Sequence, residues 1–406
     1  MKLILLSGGS GKRLWPLSND QRSKQFIKVL RNEDHLESMV QRVWRQLGMV
    51  GLQADTYIAT GANQASILKA QLGIGDDQII TEPSRRDTFP AISLASTYLH
   101  SVVQADLDET VVVLPVDPFV NVEYFKSIIN LDGLLNETGA TLGLVGIKPT
   151  LPSEKYGYIV PENAQSSQVK EFKEKPDRLL ATKLIENGAV WNAGVFAFKL
   201  RTIHDMLVEM NVPTDYQTLS ANYDLLPKNS FDYEYSEKQA NIVFNRYDGY
   251  WKDLGTWNTL TEEMDTKTVG FTSELIDTNN TYVINEGDLP VAVIGTKDLI
   301  VAAGPEGILV SSKDDSPRVK ELSSTFFESI HYVEEAWGLR RTLMKSEVSK
   351  TTLFEMNDKH QVSLKLKSNQ KIVRLSGQGT VNVKGDTTVV TGKKEFKFLL
   401  VTEELA

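Results

Sequence analysis

Residues 2–14 read Lys2-Leu3-Ile4-Leu5-Leu6-Ser7-Gly8-Gly9-Ser10-Gly11-Lys12-Arg13-Leu14. A very short apolar run, with one lysine before it and no small-residue cleavage pattern, reads as a buried first strand rather than a signal peptide. Three glycines within four positions follow it. With no Cβ, a glycine turn lets the backbone approach a phosphate closely and aim N–H groups at it. Arg13 adds a planar fork of donors, and Lys24 a second cation, where phosphate charge would grow. The motif is not a Walker loop, because Gly11-Lys12 is followed by Arg13 rather than Ser or Thr. Nor is it the dinucleotide fingerprint, because Gly9-Ser10-Gly11-Lys12-Arg13-Leu14 ends in leucine.

Outward from this turn, short apolar strands alternate with amphipathic stretches. Strands are expected at Lys2–Leu6, Thr56–Ala59, Thr110–Leu114 and Leu142–Gly146, and helical patterns at His35–Leu47, Asn63–Leu72 and Ala91–Val103. That alternation predicts an α/β fold, Rossmann-like, with a mainly parallel sheet flanked by helices. It occupies residues 1–265. Between 266 and 328 the helices stop, and closely spaced strand candidates such as Thr281–Ile284, Val291–Gly295 and Leu299–Ala302 suggest a small β domain or β-helix, though without a strict repeat. From 329 to 406, β-prone runs at Thr351–Phe354, Val362–Leu366, Ile372–Leu375, Thr380–Val383, Thr388–Val390 and Phe396–Val401 predict an antiparallel sandwich or barrel. Ser376-Gly377-Gln378-Gly379 and Lys384-Gly385-Asp386 are the turn signals between them.

Composition narrows the function. A chain of 406 residues exceeds one ordinary core, and 41% apolar with 24% charged residues is a globular balance. Nothing approaches the roughly eighteen apolar residues of a membrane span. The absence of cysteine removes disulfides and thiolate sites, and fits a cytoplasmic protein. Net charge is −9 with no basic stripe, so nucleic acid is not an expected partner. Five histidines, none in a metal-binding spacing, make a multi-histidine centre unexpected. Phosphate must then be held locally, by a few cations, backbone donors and a metal. Asp117 follows the apolar run Val111–Leu114, at the carboxyl edge where parallel sheets bind ligands, or else simply turns the chain before Pro118.

The segments Gly8-Gly9-Ser10-Gly11-Lys12-Arg13-Leu14, Trp15-Pro16-Leu17-Ser18 and Lys24-Gln25-Phe26 together resemble the signature of the sugar-phosphate nucleotidyltransferases. More narrowly, they resemble the mannose-1-phosphate guanylyltransferase branch. The resemblance continues in order through Glu82–Ile92, Leu114–Asp117, Tyr156–Ile159, Phe172–Pro176, Trp191–Phe196 and Trp251–Trp257. It implies transfer of a nucleotidyl group, with GTP the favoured donor, to a sugar 1-phosphate, favoured as mannose 1-phosphate. It implies Arg13, Lys24 and Lys175 as catalytic cations, and Leu6, Gly8, Gly9, Gly11, Glu82, Arg86 and Thr88 against the nucleotide. Asp117, Gly157, Glu174, Lys175, Asn192 and Gly194 would hold the sugar phosphate, and Asp117 with Asp253 would hold Mg²⁺. A homo-oligomer, a dimer, is expected. The tryptophans at 191, 251 and 257 are expected to pack rather than stack on a base.

Two departures qualify the resemblance. Pro118 stands where the branch commonly has His, and Asp87 where it has Asn. The same chemistry on another hexose or heptose 1-phosphate, or with another nucleotide, stays open. So does a sensor that binds sugar nucleotide without turnover. The last stretch weakly resembles the cupin isomerase domain of longer members, but Lys365–Ile372 carries no histidine or carboxylate where that domain holds its metal. A degenerate β domain without isomerase activity is expected, with His360 a surface turn residue.

Overall fold

The computed structural model describes residues 1–9, 12–327 and 330–403. It divides into two compact units, the first made of 1–8, 42–62 and 75–253, the second of 9–41, 63–74 and 254–406. The division falls inside the glycine turn, between Gly8 and Gly9.

The first unit is a nine-stranded sheet. Lys2–Ser7 lies at its centre, parallel to Thr56–Gly61 on one side and to Thr110–Pro115 on the other. Ile79–Glu82 extends the parallel run beyond Thr56–Gly61. Beyond Thr110–Pro115 the sheet turns mixed, because Val190–Lys199 runs antiparallel to Thr110–Pro115, Leu142–Ile147 and Tyr158–Pro161. The chain therefore leaves its first strand toward one side and later returns on the other. A crevice opens outside the carboxyl ends at such a reversal, and this is where open α/β sheets bind ligands.

Valines, leucines and isoleucines dominate the central strands because both faces are covered. The helix Thr88–Ser101 is apolar or small on nearly every side and is almost wholly buried against them. Its N-terminus is capped by Asp87, whose carboxylate accepts from Thr88 N at 2.7 Å. Asp87 has φ +75° with ψ −174°, a setting costly to any residue but glycine and of the kind that clusters at functional sites. The negative charge that departs from the branch pattern thus sits at a helix N-terminus, where the dipole favours it.

In the second unit, strands pair with the next but one. Thr268–Gly270, Tyr282–Asn285 and Leu299–Gly304 form one parallel ladder, Ser273–Ile276 and Val291–Ile294 another. Alternate pairing of this kind is a β-helix, as the close spacing suggested. Val283, Val293 and Val301 fill its interior. Gly307–Ser312 closes it as an antiparallel strand.

The last six strands form one antiparallel sheet around Phe354, Met356, Val390, Phe396 and Phe398. Here the expected segmentation is corrected. Ile372–Leu375 and Thr380–Val383 belong to a single strand, Gln370–Lys384, and Thr388–Val390 and Phe396–Val401 to another, Thr387–Glu403. Ser376–Gly379 is no turn; it is a bulged stretch where the register slips and Gly377 takes φ +76°. His360 is exposed, with its ring on the Asp358 carbonyl, as expected of a surface turn.

Candidate active site

A cavity of about 190 Å³ lies in the first unit at the carboxyl edge of Thr110–Pro115. Asp117 follows that strand. The next residues, Pro118–Val120, pair antiparallel with Trp251–Asp253, which sets Asp253 directly opposite Pro118. Residues distant in sequence thereby place two carboxylates on one wall. Proline suits the first position of such a ribbon, where no ladder donor is needed. Helix residues Arg42 and Gln46 anchor it, both donating to Val120 O, with the Arg42 guanidinium 4.2 Å from the Phe119 ring centre. Tyr156 stands beside the pair. Burial and then the charges of Asp253 and Asp117 push its phenol up to about 12, so it stays neutral.

The rest of the lining comes from a bulge and a strand end. Val190–Lys199 loses register between Asn192 and Phe196, where Gly194 takes φ +73°. Asn192 is held by its own N–H on Gly157 O at 2.8 Å and by its side-chain oxygen, which accepts from Gly194 N at 3.1 Å. Its amide nitrogen is left facing Asp232, 3.4 Å away. Glu174, buried at the end of Val169–Lys173, accepts the Lys175 ammonium at 2.6 Å. Lys175 itself has φ +43°, a strained setting of the kind that clusters at functional sites. Burial disfavours its charge, but Glu174, and more distantly Asp232, outweigh that and raise its pKa.

Gly157 sets the width of this wall. A Cβ there would meet Glu174 Oε2 at 2.6 Å and the Phe172 ring at 2.8 Å. Gly157→Ala must therefore displace the carboxylate. If Glu174 bonds a sugar hydroxyl, loss of that charged hydrogen bond, about 1.5–3 kcal/mol, raises KM for the sugar phosphate roughly tenfold or more. Steady-state kinetics against sugar 1-phosphate check this.

The structure brings Asp117, Gly157, Glu174, Asn192, Gly194 and Asp253 to one cavity, with Lys175 paired to Glu174. Other expected residues lie elsewhere. Glu82 accepts from the Tyr223 hydroxyl at 2.9 Å, and burial raises its pKa against that bond and Arg85. Arg86 is engaged by Asp224 and by the Leu226 carbonyl. The Thr88 hydroxyl accepts from Phe231 N at 2.9 Å. All three tie strand and helix ends to the segment 223–231 rather than opening into the cavity. Leu6 is half-buried in the central strand, and a side chain at Gly8 would meet nothing. Gly9, Arg13 and Lys24 belong to the second unit; Arg13 is exposed, and Lys24 starts the 3₁₀ turn Lys24–Phe26. Gly11 lies outside the described residues.

Asp232 was not expected. It lines the cavity from a four-residue helix capped by Ser230. Burial, then the Glu174 charge, push its carboxyl up to about 7, although Lys175 opposes them. Of the tryptophans, 191 and 257 are buried, and Trp251, which lines the cavity, packs edge-on against the Tyr156 ring at 5.7 Å.

A larger cavity, about 510 Å³, lies in the second unit. Glu334, Glu335, Glu355 and Glu395 outnumber Lys28 and Lys397 on its walls, a balance that repels phosphate. Among the described residues no cluster of three or more His, Asp or Glu side chains could hold a metal. None of the helices described is long and apolar enough to cross a membrane.

The nucleotidyl transferase family pattern matches residues 2–268, and the mannose-phosphate isomerase/GMP-like β-helix domain pattern matches residues 275–324. A xanthan biosynthesis protein of Xanthomonas campestris is 31% identical over 79% of this chain and 72% of its own. A mannose-1-phosphate guanylyltransferase of Escherichia coli is 31% identical over 79% of this chain and 74% of its own. A Thermus thermophilus crystal structure titled mannose-1-phosphate geranyltransferase superposes with a TM-score of 0.66 at 27% identity, covering 79% of this chain and 97% of that one.

Proposed function

This chain belongs to the nucleotidyl transferase family, and from that premise we propose that it makes GDP-mannose and pyrophosphate from GTP and mannose 1-phosphate. The observation that carries the reading is the one cavity lined together by Asp117, Asp253, Asn192 and Glu174. Carboxylate and amide suit sugar hydroxyls, and the ammonium on Glu174 suits a phosphate. Relatives named for guanylyl transfer to mannose 1-phosphate favour that pair of substrates.

In this reading Asn192, Glu174 and Asp232 hold the sugar ring, and Lys175 turns from Glu174 toward the sugar phosphate. Glycine-turn N–H groups, Arg13 and Lys24 neutralise the triphosphate. The sugar phosphate oxygen attacks the α-phosphorus in line, that bond forms as the bond to pyrophosphate breaks, and no proton need be removed from an anionic nucleophile. Two carboxylates on one wall are a hard-oxygen set that fits Mg²⁺, the remaining positions falling to phosphate and water. When bound, the metal supplies charge stabilisation to the transferring phosphate.

Pyrophosphate release with GTP, UTP, CTP, ATP and dTTP against mannose and glucose 1-phosphates tests the reading. GTP with mannose 1-phosphate is expected to be fastest. Release from no pair would remove the enzyme reading in favour of a sensor, and a faster alternative pair would replace the substrates named.

Asp232 gives a pH test. Its folded-state pKa is raised to about 7, so between the ordinary aspartate value of about 4 and about pH 7 the folded state keeps a proton that the unfolded state has lost, and stability falls as pH rises through that window. Asp232→Asn removes that loss. Its unfolding free energy from urea titration is expected to gain on wild type from pH 5 to pH 8, by an amount on the order of 1–2 kcal/mol after discounting for partial exposure.

A further inference from the structure

The segment between the glycine turn and Lys28 is held by the β-helix and the last sheet, and every contact involved lies within the second unit. Arg22 is buried. Its two terminal nitrogens donate to the two oxygens of Glu286 at 2.5 and 2.9 Å, and one of them also reaches Leu17 O at 3.3 Å. Tyr332 covers the guanidinium, 4.7 Å from ring centre to charge. Asn19 organises the same turn. Its side-chain oxygen accepts from Gln21 N and Arg22 N, and its amide donates to Glu306 at 2.9 Å and Tyr332 O at 3.0 Å. Past the 3₁₀ turn Lys24–Phe26, Lys28 pairs with Glu334 at 3.1 Å, and Gln71 bridges Phe26 O and the same Glu334. Three C-terminal carboxylates, Glu286, Glu306 and Glu334, thus grip three side chains that bracket Lys24.

A buried ion pair is weak evidence for stability, since apolar residues of similar volume usually serve as well. What a bidentate, ring-covered pair does supply is one geometry. We propose that Arg22, held by Glu286 beneath Tyr332, is the positioning residue through which the C-terminal β region fixes the Lys24–Phe26 turn for catalysis. The proposal rests on the reading of Lys24 as a cation that neutralises the triphosphate. It gives the C-terminal β region, whose Lys365–Ile372 stretch carries no histidine or carboxylate, a task that needs no metal and no chemistry of its own.

The test is the double variant Arg22→Met/Glu286→Leu in the full chain, read by melting, by steady-state kinetics and by amide exchange. Cooperative melting near wild type is expected, with kcat for pyrophosphate release down at least tenfold and KM for the sugar 1-phosphate within about twofold. Amides from Arg22 to Lys28 should exchange at least tenfold faster. A folded double variant with wild-type kcat and wild-type exchange would overturn the proposal. Should the double variant fail to fold, Glu286→Gln carries the same readouts, keeping a hydrogen bond while removing the charge. If the wild-type protein releases no pyrophosphate, the functional reading fails by itself, and unchanged exchange in either variant still refutes the clamp.

Discussion

Arg13→Ala is expected to lower the rate of pyrophosphate release by about two to three orders of magnitude, the usual cost of losing one transition-state charge contact. The side chain is exposed, so no core contact is lost with it. The backbone around it is fixed independently. Leu14 is fully buried and Trp15 nearly so, and Leu17 N and Ser18 N both donate to Leu14 O. Trp257 Nε1 donates to Trp15 O at 3.2 Å, tying the turn further. The variant should therefore melt as wild type, with the loss concentrated in kcat. Arg13→Lys separates charge from shape, because an ammonium lacks the planar fork. It is expected to recover only part of the rate. Wild-type turnover by a folded Arg13→Ala variant would remove Arg13 from the chemistry.

How far the sequence led depends on which interactions are local. The central strands were legible because strands covered on both faces read as unbroken Val, Leu and Ile runs, and Val111–Leu114 is fully buried as that pattern requires. Boundaries set by long-range pairing were not. His35–Glu37, read as the start of a helix, is instead a strand paired with Leu30–Asn32. The helix starts at Met39, after Ser38 and Gln41 exchange the reciprocal bonds of a capping box. That Ser-x-x-Gln spacing was in the sequence and marked the true start. Ser376–Gly379 misled in the opposite sense, since glycine permits a bulge within a strand as readily as a turn between two.

The site divides the same way. Asp117 could be placed at a strand end from its own neighbours, but its partnership with Asp253 rests on a two-stranded ribbon that no periodicity announces. Family resemblance supplied that pairing. Asp232 escaped both routes. It sits in a single helical turn after Asn229 and Ser230, where Phe231 enters the core and Asp232 lines the cavity beside Glu174. Asp87, which departs from the branch's Asn, has a local task that its neighbours do not announce, since its carboxylate caps the helix Thr88–Ser101.

Asp253→Asn should reduce turnover at fixed Mg²⁺ by about three orders of magnitude. Metal charge stabilisation of a transferring phosphate is worth several kcal/mol, and about 4 kcal/mol corresponds to that factor. The substitution keeps the shape of the side chain, and the ribbon is anchored at its other end by Arg42 and Gln46, so the fold should hold. A Mg²⁺ titration discriminates the role. If Asp253 is a ligand, half-maximal activity shifts to higher metal concentration. If it only shapes the wall, kcat falls at every concentration with no such shift. Asp117→Asn should behave alike, because Asp117 opens into the same cavity. Groups that act as one unit are strongly non-additive. The double variant Asp117→Asn/Asp253→Asn is therefore expected to be little slower than either single one, whereas losses that multiply would mean that the two carboxylates act on separate steps or separate ligands.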